Sequence, residues 1–220
     1  MRQNWFDLAF IHWEIPIREL RKWIPSSLEI DSFDACAWIG LVPFEMRGVT
    51  PRGLPAVPAL SDFPEMNVRT YVIHKNKPGV WFFSLDVTNP LAVLVARSVF
   101  HLPYFLAQMD VRSDGNRVDY ACRYDQRVFR ARYEPISGQR IRSRAFARWA
   151  TERYCLYTTD REGTLYRGEI HHRQWPLECA HLEVDENTYL DPFPVGSRQE
   201  EVLFSRSIDV VVWPLKKLDL

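Results

Sequence analysis

Phe63-Pro64-Glu65-Met66-Asn67-Val68-Arg69-Thr70-Tyr71-Val72 alternates polar and apolar side chains with a period of two. In a β-strand successive side chains point to opposite faces, so Glu65, Asn67, Arg69 and Tyr71 share one face, and Met66, Val68, Thr70 and Val72 the other. If the polar row faces water, this is a half-exposed strand of an ordinary sheet. If it faces the inside of a curled sheet, an acid, an amide, a base and a phenol form the wall of a ligand cavity. The segment alone leaves both readings open.

Working outward, Lys77-Pro78-Gly79 turns the chain back and residues 80–87 return as a second strand, which predicts a hairpin. Asn89-Pro90 then reads as a helix N-cap followed by the first helical residue, and a helix is expected over 90–100. Leu102-Pro103-Tyr104 ends it, because the residue before a proline resists the helical conformation. Upstream, 8–13 and 35–42 read as apolar strands, with a short helix over 18–23. The proline-rich stretch 48–62 is either a functional loop or a solvated insertion. Downstream, strands are expected over 117–124, 126–133, 154–159, 165–172, 181–184 and 201–213, with a helix over 143–152. Many strands separated by few helices predict one α+β, antiparallel-dominated domain over 1–220.

Composition limits function. Lys plus Arg and Asp plus Glu balance at 28 each, which argues against a dedicated nucleic-acid binder and against a polyanionic membrane partner. The arginines between Arg112 and Arg153 are interleaved with acids and read as a solvated, salt-bridged face. Lysine is scarce, at positions 22, 75, 77, 216 and 217. Cys36, Cys122, Cys155 and Cys179 form no C-x-x-C pair and read as small buried residues. The first residues carry no long apolar run, and no stretch is long enough to span a bilayer, so a cytoplasmic protein with reduced thiols is expected. Glycine-rich phosphate-binding patterns and nucleophile elbows are absent, and no cofactor is expected.

Two constellations could carry chemistry. The first joins the Glu65 face to Arg97 and His101 on the helix and its exit, and to Tyr104. Arginine would hold a carboxylate bidentately, while Glu65 or Tyr104 handles a proton. The second gathers Glu169, His171, His172, Cys179 and His181. Its spacing matches no standard zinc pattern, so no metal is assigned to it. His12, between Ile11 and Trp13, reads as a satisfied buried histidine with a cavity-facing role left open.

Specific residues resemble a known family. His12-Trp13, Phe63-Pro64-Glu65, Asn67 to Tyr71, Ala96-Arg97, Leu102-Pro103-Tyr104, Arg153-Tyr154, His172 with Trp175-Pro176-Leu177, and Asp209-Val210 with Trp213 are similar to the pattern of the YqjF-like bacterial family, a domain of unknown function placed in the acetoacetate decarboxylase-like superfamily. A remoter resemblance to acetoacetate decarboxylase itself covers the first half of the chain, from Leu20-Arg21-Lys22 and Leu28 to Asp31 through to Pro103-Tyr104.

The resemblance implies a cone-like, mostly antiparallel β-barrel enclosing a small-molecule cavity, with the Glu65 face inside. It also implies a homo-oligomer. Glu65 matches an active-site glutamate of the decarboxylase, but Tyr104 and Phe105 stand where that family has its Schiff-base lysine and the neighbouring lysine. A phenol forms no imine with a β-keto acid, and none of the five lysines is well placed to substitute. The expected partner is therefore a small molecule, a carboxylate or oxo acid, held by Asn67, Arg69, Tyr71, Arg97 and His12. Three functions compete: a binding protein, a lyase, hydratase or isomerase using Glu65 and Tyr104, and a structural scaffold stiffened by a buried network.

Overall fold

The computed structural model describes residues 1–50 and 61–219. Positions 51–60 of the expected loop over 48–62 lie outside the described residues. Its near end continues a strand, and the Gly48 N–H donates to Asp62 Oδ1 at 2.8 Å.

Seven strands close on themselves. They are β1 (Arg2–Ile15), β3 (Ala37–Thr50), β4 (Phe63–His74), β5 (Lys77–Val87), β10 (Cys155–Thr159), β11 (Leu165–His172) and β13 (Leu203–Lys217). They neighbour one another in the order β1-β3-β4-β5-β10-β11-β13, and β13 pairs back onto β1. Every pairing in the ring is antiparallel except β5–β10. Two short strands attach to its flank: β2 (Glu29–Ile30) on β4 and β6 (Tyr104–Leu106) on β5. The sheet then runs on from β13 through β12 (Glu178–Asn187), β9 (Arg127–Pro135) and β8 (Val118–Tyr124) to β7 (Gln108–Ser113). The architecture is thus α+β with a closed, antiparallel-dominated barrel.

β4 is buried on both faces. Met66, Val68 and Val72 share one core with Tyr120 and Phe129 of the β7–β9 extension, which folds back over the outside of the barrel. Tyrosines tie the layers together: Tyr120 Oη donates to the Glu65 carbonyl (2.9 Å) and Tyr133 Oη to the Asp7 carbonyl (2.9 Å). With its apolar row covered, the polar row of β4 can only face the barrel interior.

Helices fill and cap the barrel. A helical turn, α1 (Ile17–Leu20), follows β1. Helix α2 (Pro90–Val99) begins as the sequence predicts, with the Asn89 side chain accepting from the Leu91 and Ala92 N–H groups (3.0 and 3.1 Å) and Pro90 in the first turn. Helix α3 (Arg144–Thr151) is capped by Ser143, and its Phe146 and Ala150 pack with Trp38, Tyr71 and Leu156.

The observed elements differ from the sequence reading at several places: β1 spans 2–15 where 8–13 was expected, and β2 is an additional short strand. The strand expected over 35–42 runs on through Pro43 to Thr50. β12 spans ten residues where a shorter strand over 181–184 was expected, and β6 and β7 are additional strands. β7 is an edge strand of mostly exposed polar residues, so it carries little apolar signal.

Candidate functional site

All seven barrel strands contribute side chains to one cavity of about 300 Å³. β4 supplies Phe63, Glu65, Asn67 and Arg69, as strand alternation requires. β5 breaks strict alternation. Val68 pairs with Ser84 but Arg69 with Phe82, so Phe83 is an extra residue. This bulge places Val80, Phe82 and then Leu85 on the cavity wall and sends Ser84 and Asp86 to the opposite face. α2 roofs the cavity with Leu91, Ala92, Val95 and Ala96, at the i, i+3, i+4 spacing of one helical face.

Glu65 is 2% exposed. The Tyr104 phenol donates to its Oε2 at 3.0 Å. Burial raises the Glu65 carboxyl to a pKa of about 8, the hydrogen bond from Tyr104 opposes this, and the nearby Asp86 carboxylate adds to it. Glu65 is therefore a neutral acid at pH 7. Because Oε2 accepts from Tyr104, the acid proton belongs on Oε1. The Tyr104 hydroxyl is itself pushed up by burial and by Glu65, and stays protonated.

Arg69 is 7% exposed. Its Nε donates to Tyr71 Oη (3.3 Å), one terminal nitrogen donates to the Ala150 carbonyl (3.2 Å), and the guanidinium lies over the Phe10 ring at 5.3 Å. No carboxylate pairs with it among the described residues. Arg153, also on the cavity wall, is bound through Nη1 to Asp31, whose other oxygen accepts from Trp149 Nε1 (3.1 Å). Its Nη2 is buried without a partner among the described residues, as is the side-chain oxygen of Asn67. His172 completes the polar wall, with its ring nitrogens facing the Arg173 (2.8 Å) and Arg153 (3.2 Å) carbonyls.

The structure gathers Glu65, Tyr104, Asn67 and Arg69 around one space, and sets the other expected residues elsewhere. Tyr71 and His12 lie behind the wall. Arg69 Nε donates to Tyr71 Oη, so the phenol proton goes to His12 Nε2, 2.6 Å away. Burial, then the Arg69 and Arg153 charges, hold the His12 pKa well below its usual value, so this ring is neutral. Gly40 makes the contact possible, since a Cβ there would sit 3.0 Å from His12 Nε2. Arg97 is not in the cavity. One step past Ala96 it turns off the roofing face, bonds the Tyr104 carbonyl (2.6 Å), and lines an outer groove with His101 and Phe105.

The second constellation is dispersed. Glu169 pairs with Lys77 (2.6 Å) and Arg167 (2.7 Å), His171 and His181 are exposed, Cys179 is buried against the Gln139 carbonyl, and His172 lines the cavity. Among the described residues, no group of three or more His, Cys, Asp or Glu is placed to hold a metal ion. Arg153, Thr151 and His172 are cavity residues that the sequence reading did not place in a ligand site of this kind: Arg153 was marked only by the family-like pattern, and His172 by that pattern and by the second constellation. None of the five lysines lines the cavity: Lys22 pairs with Glu19, Lys75 with the Asp219 carbonyl, Lys77 with Glu169, and Lys216 and Lys217 end β13.

Comparison with known proteins agrees with this fold. Residues 2–209 match the model of DUF2071, described as an uncharacterised conserved protein family. The chain is 42% identical to the uncharacterised protein YqjF of Bacillus subtilis (strain 168) over 223 aligned positions, covering 99% of this chain and 92% of that one. Acetoacetate decarboxylase from Legionella pneumophila is similar in structure, with TM-score 0.68 and 11% identity over 100% of this chain and 88% of that one. The enduracididine biosynthesis enzyme MppR complexed with pyruvate gives TM-score 0.71 and 11% identity, over 99% and 90%. An acetoacetate decarboxylase-like enzyme from Sphingomonas wittichii RW1 gives 0.67 and 13%, over 99% and 93%. No helix of the described residues is long and apolar enough to cross a membrane. The chain belongs to the DUF2071 family, and its fold is similar to that of acetoacetate decarboxylase.

Proposed function

We propose that this protein binds a small organic acid in the barrel cavity, with Arg69 holding the carboxylate and the neutral Glu65 donating to a carbonyl or hydroxyl oxygen of the same ligand. The observation that carries this reading is the Arg69 guanidinium, buried in the cavity wall with no acid among the described residues paired to it. A buried charge without a partner is costly, and a carboxylate ligand is the partner that offsets it. The unpartnered Arg153 Nη2 and Asn67 side-chain oxygen supply further hydrogen-bonding capacity on the same wall. A pyruvate-bound neighbour of the same fold lends support by analogy. The four free cysteines fit a cytoplasmic setting.

Imine chemistry is not part of this function. Borohydride treatment in the presence of acetoacetate is expected to leave every lysine unmodified, and a mass increase on any of the five contradicts the reading. The binding itself is tested by thermal shift against a panel of small acids, since a ligand that binds only the native state raises the melting temperature. No rise with any acid sinks it.

One observation favours catalysis as a second reading. A carboxyl with its pKa near 8 that hydrogen-bonds a carbonyl oxygen is also able to protonate it, and the carboxylate so formed can take a proton from the adjoining carbon, which leaves the enol and restores the acid. Deuterium entering the carbon beside the carbonyl of a bound oxo acid, in deuterated water and faster than without protein, would establish such turnover.

A further inference from the structure

The charges and walls of the cavity narrow the ligand class, on the condition that the organic-acid reading holds. The Arg153 charge is balanced by Asp31, and Glu65 is uncharged, so Arg69 stands as the unbalanced arginine on the wall. One carboxylate satisfies it. A second carboxylate at the opposite end would meet Glu65, already close enough to Asp86 to feel its charge, and among the described residues no arginine or lysine besides Arg69 and Arg153 lines that wall.

Most of the remaining surface is apolar. Trp5 and Trp175 line one side, and both indole N–H groups are occupied within the protein, by Gln3 Oε1 (2.9 Å) and by the Thr151 carbonyl (2.9 Å). These rings therefore offer a ligand only their apolar surfaces. Phe82 and Leu85 face the space from β5, and α2 closes it with aliphatic side chains. A volume of about 300 Å³ has room for about ten water-sized groups or more, and a three-carbon acid leaves much of it unfilled.

We propose that the ligand is a monocarboxylate with a bulky hydrophobic body, aryl or branched alkyl, and a carbonyl or hydroxyl oxygen that reaches Glu65, rather than a three-carbon oxo acid or a dicarboxylate. The carboxylate sits at Arg69 and Arg153, the oxygen at the Glu65–Tyr104 pair, and the hydrophobic body against Trp5, Phe82 and Trp175.

Calorimetric titration of the wild-type protein at pH 7 with phenylpyruvate, 4-methyl-2-oxopentanoate, pyruvate and 2-oxoglutarate tests this. The two bulky acids are expected to bind about ten-fold or more tightly than the other two, since even one methylene group in an apolar pocket is worth that factor. In Ala92→Phe, which fills the cavity from its roof, this preference is expected to shrink toward unity while pyruvate binding persists. Equal affinities across the series, or tightest binding of 2-oxoglutarate, overturns the size and charge argument and leaves acid binding standing. No binding of any acid overturns the organic-acid reading itself, and this inference with it.

Discussion

Arg69 donates to a phenol and a carbonyl and lies over a ring, but among the described residues it pairs with no acid, so without a ligand its charge costs stability. Arg69→Met keeps the bulk and removes the charge, and is expected to leave the unliganded protein as stable as wild type or more so by urea denaturation. Asp31→Ala should act in the opposite sense. It strands the Arg153 guanidinium, whose side chain is 5% exposed, and removal of one member of such a pair costs about 3–5 kcal/mol. Glu65 sets a pH signature. Its folded pKa of about 8 lies above the ordinary 4.5, so between these values the folded protein keeps a proton that the unfolded chain has lost. Stability should therefore fall as pH rises through this window, by at most about 1.4 kcal/mol per pH unit from this group. Glu65→Gln is expected to flatten that slope, and an unchanged slope would contradict the neutral-acid assignment. Among individual residues, Glu65, Asn67 and Arg69 were legible because β4 keeps strict alternation. Arg153 was not, because its role depends on where the end of α3 meets the barrel, a long-range placement that no local pattern encodes.

β4 and α2 are the elements that the sequence specified most fully. The polar–apolar period of β4 and the Asn89-Pro90 cap of α2 both appear in the structure where local chemistry put them. β5 was less legible. Its bulge at Phe83 reverses the facing of every residue after it, so a period of two would have put Asp86, not Leu85, on the cavity wall. Arg97 was misplaced for a related reason. The helix could be read, but not its rotation about its own axis, and one position, about 100°, separates the cavity face from the outer groove. α2 itself is lightly held. None of its residues is buried, and Leu94 and Val99 are 62% and 58% exposed. Removing its cap in Asn89→Ala should cost about 1 kcal/mol locally, read as faster amide exchange across Pro90–Val99 than in β4 or β13. Exchange that slows on ligand addition would show that the roof responds to the cavity.

At the scale of the whole molecule, closure of the barrel converts a polar strand into a binding wall. β13 makes that closure by pairing with β1 along its first half and β11 along its second, while the β7–β9 layer seals the outer face of β4. The barrel itself was anticipated from the family resemblance and not from strand periodicity, because pairings such as β1 with β13 join residues some two hundred positions apart. The same closure buries Arg69 and leaves its charge for a ligand to balance. Calorimetric titration of wild type and Arg69→Met, side by side at pH 7 with the acid giving the largest thermal shift, tests this most directly. The account predicts saturable one-site binding to wild type, weakened about ten-fold or more in Arg69→Met. Equal affinity in the two proteins would contradict it.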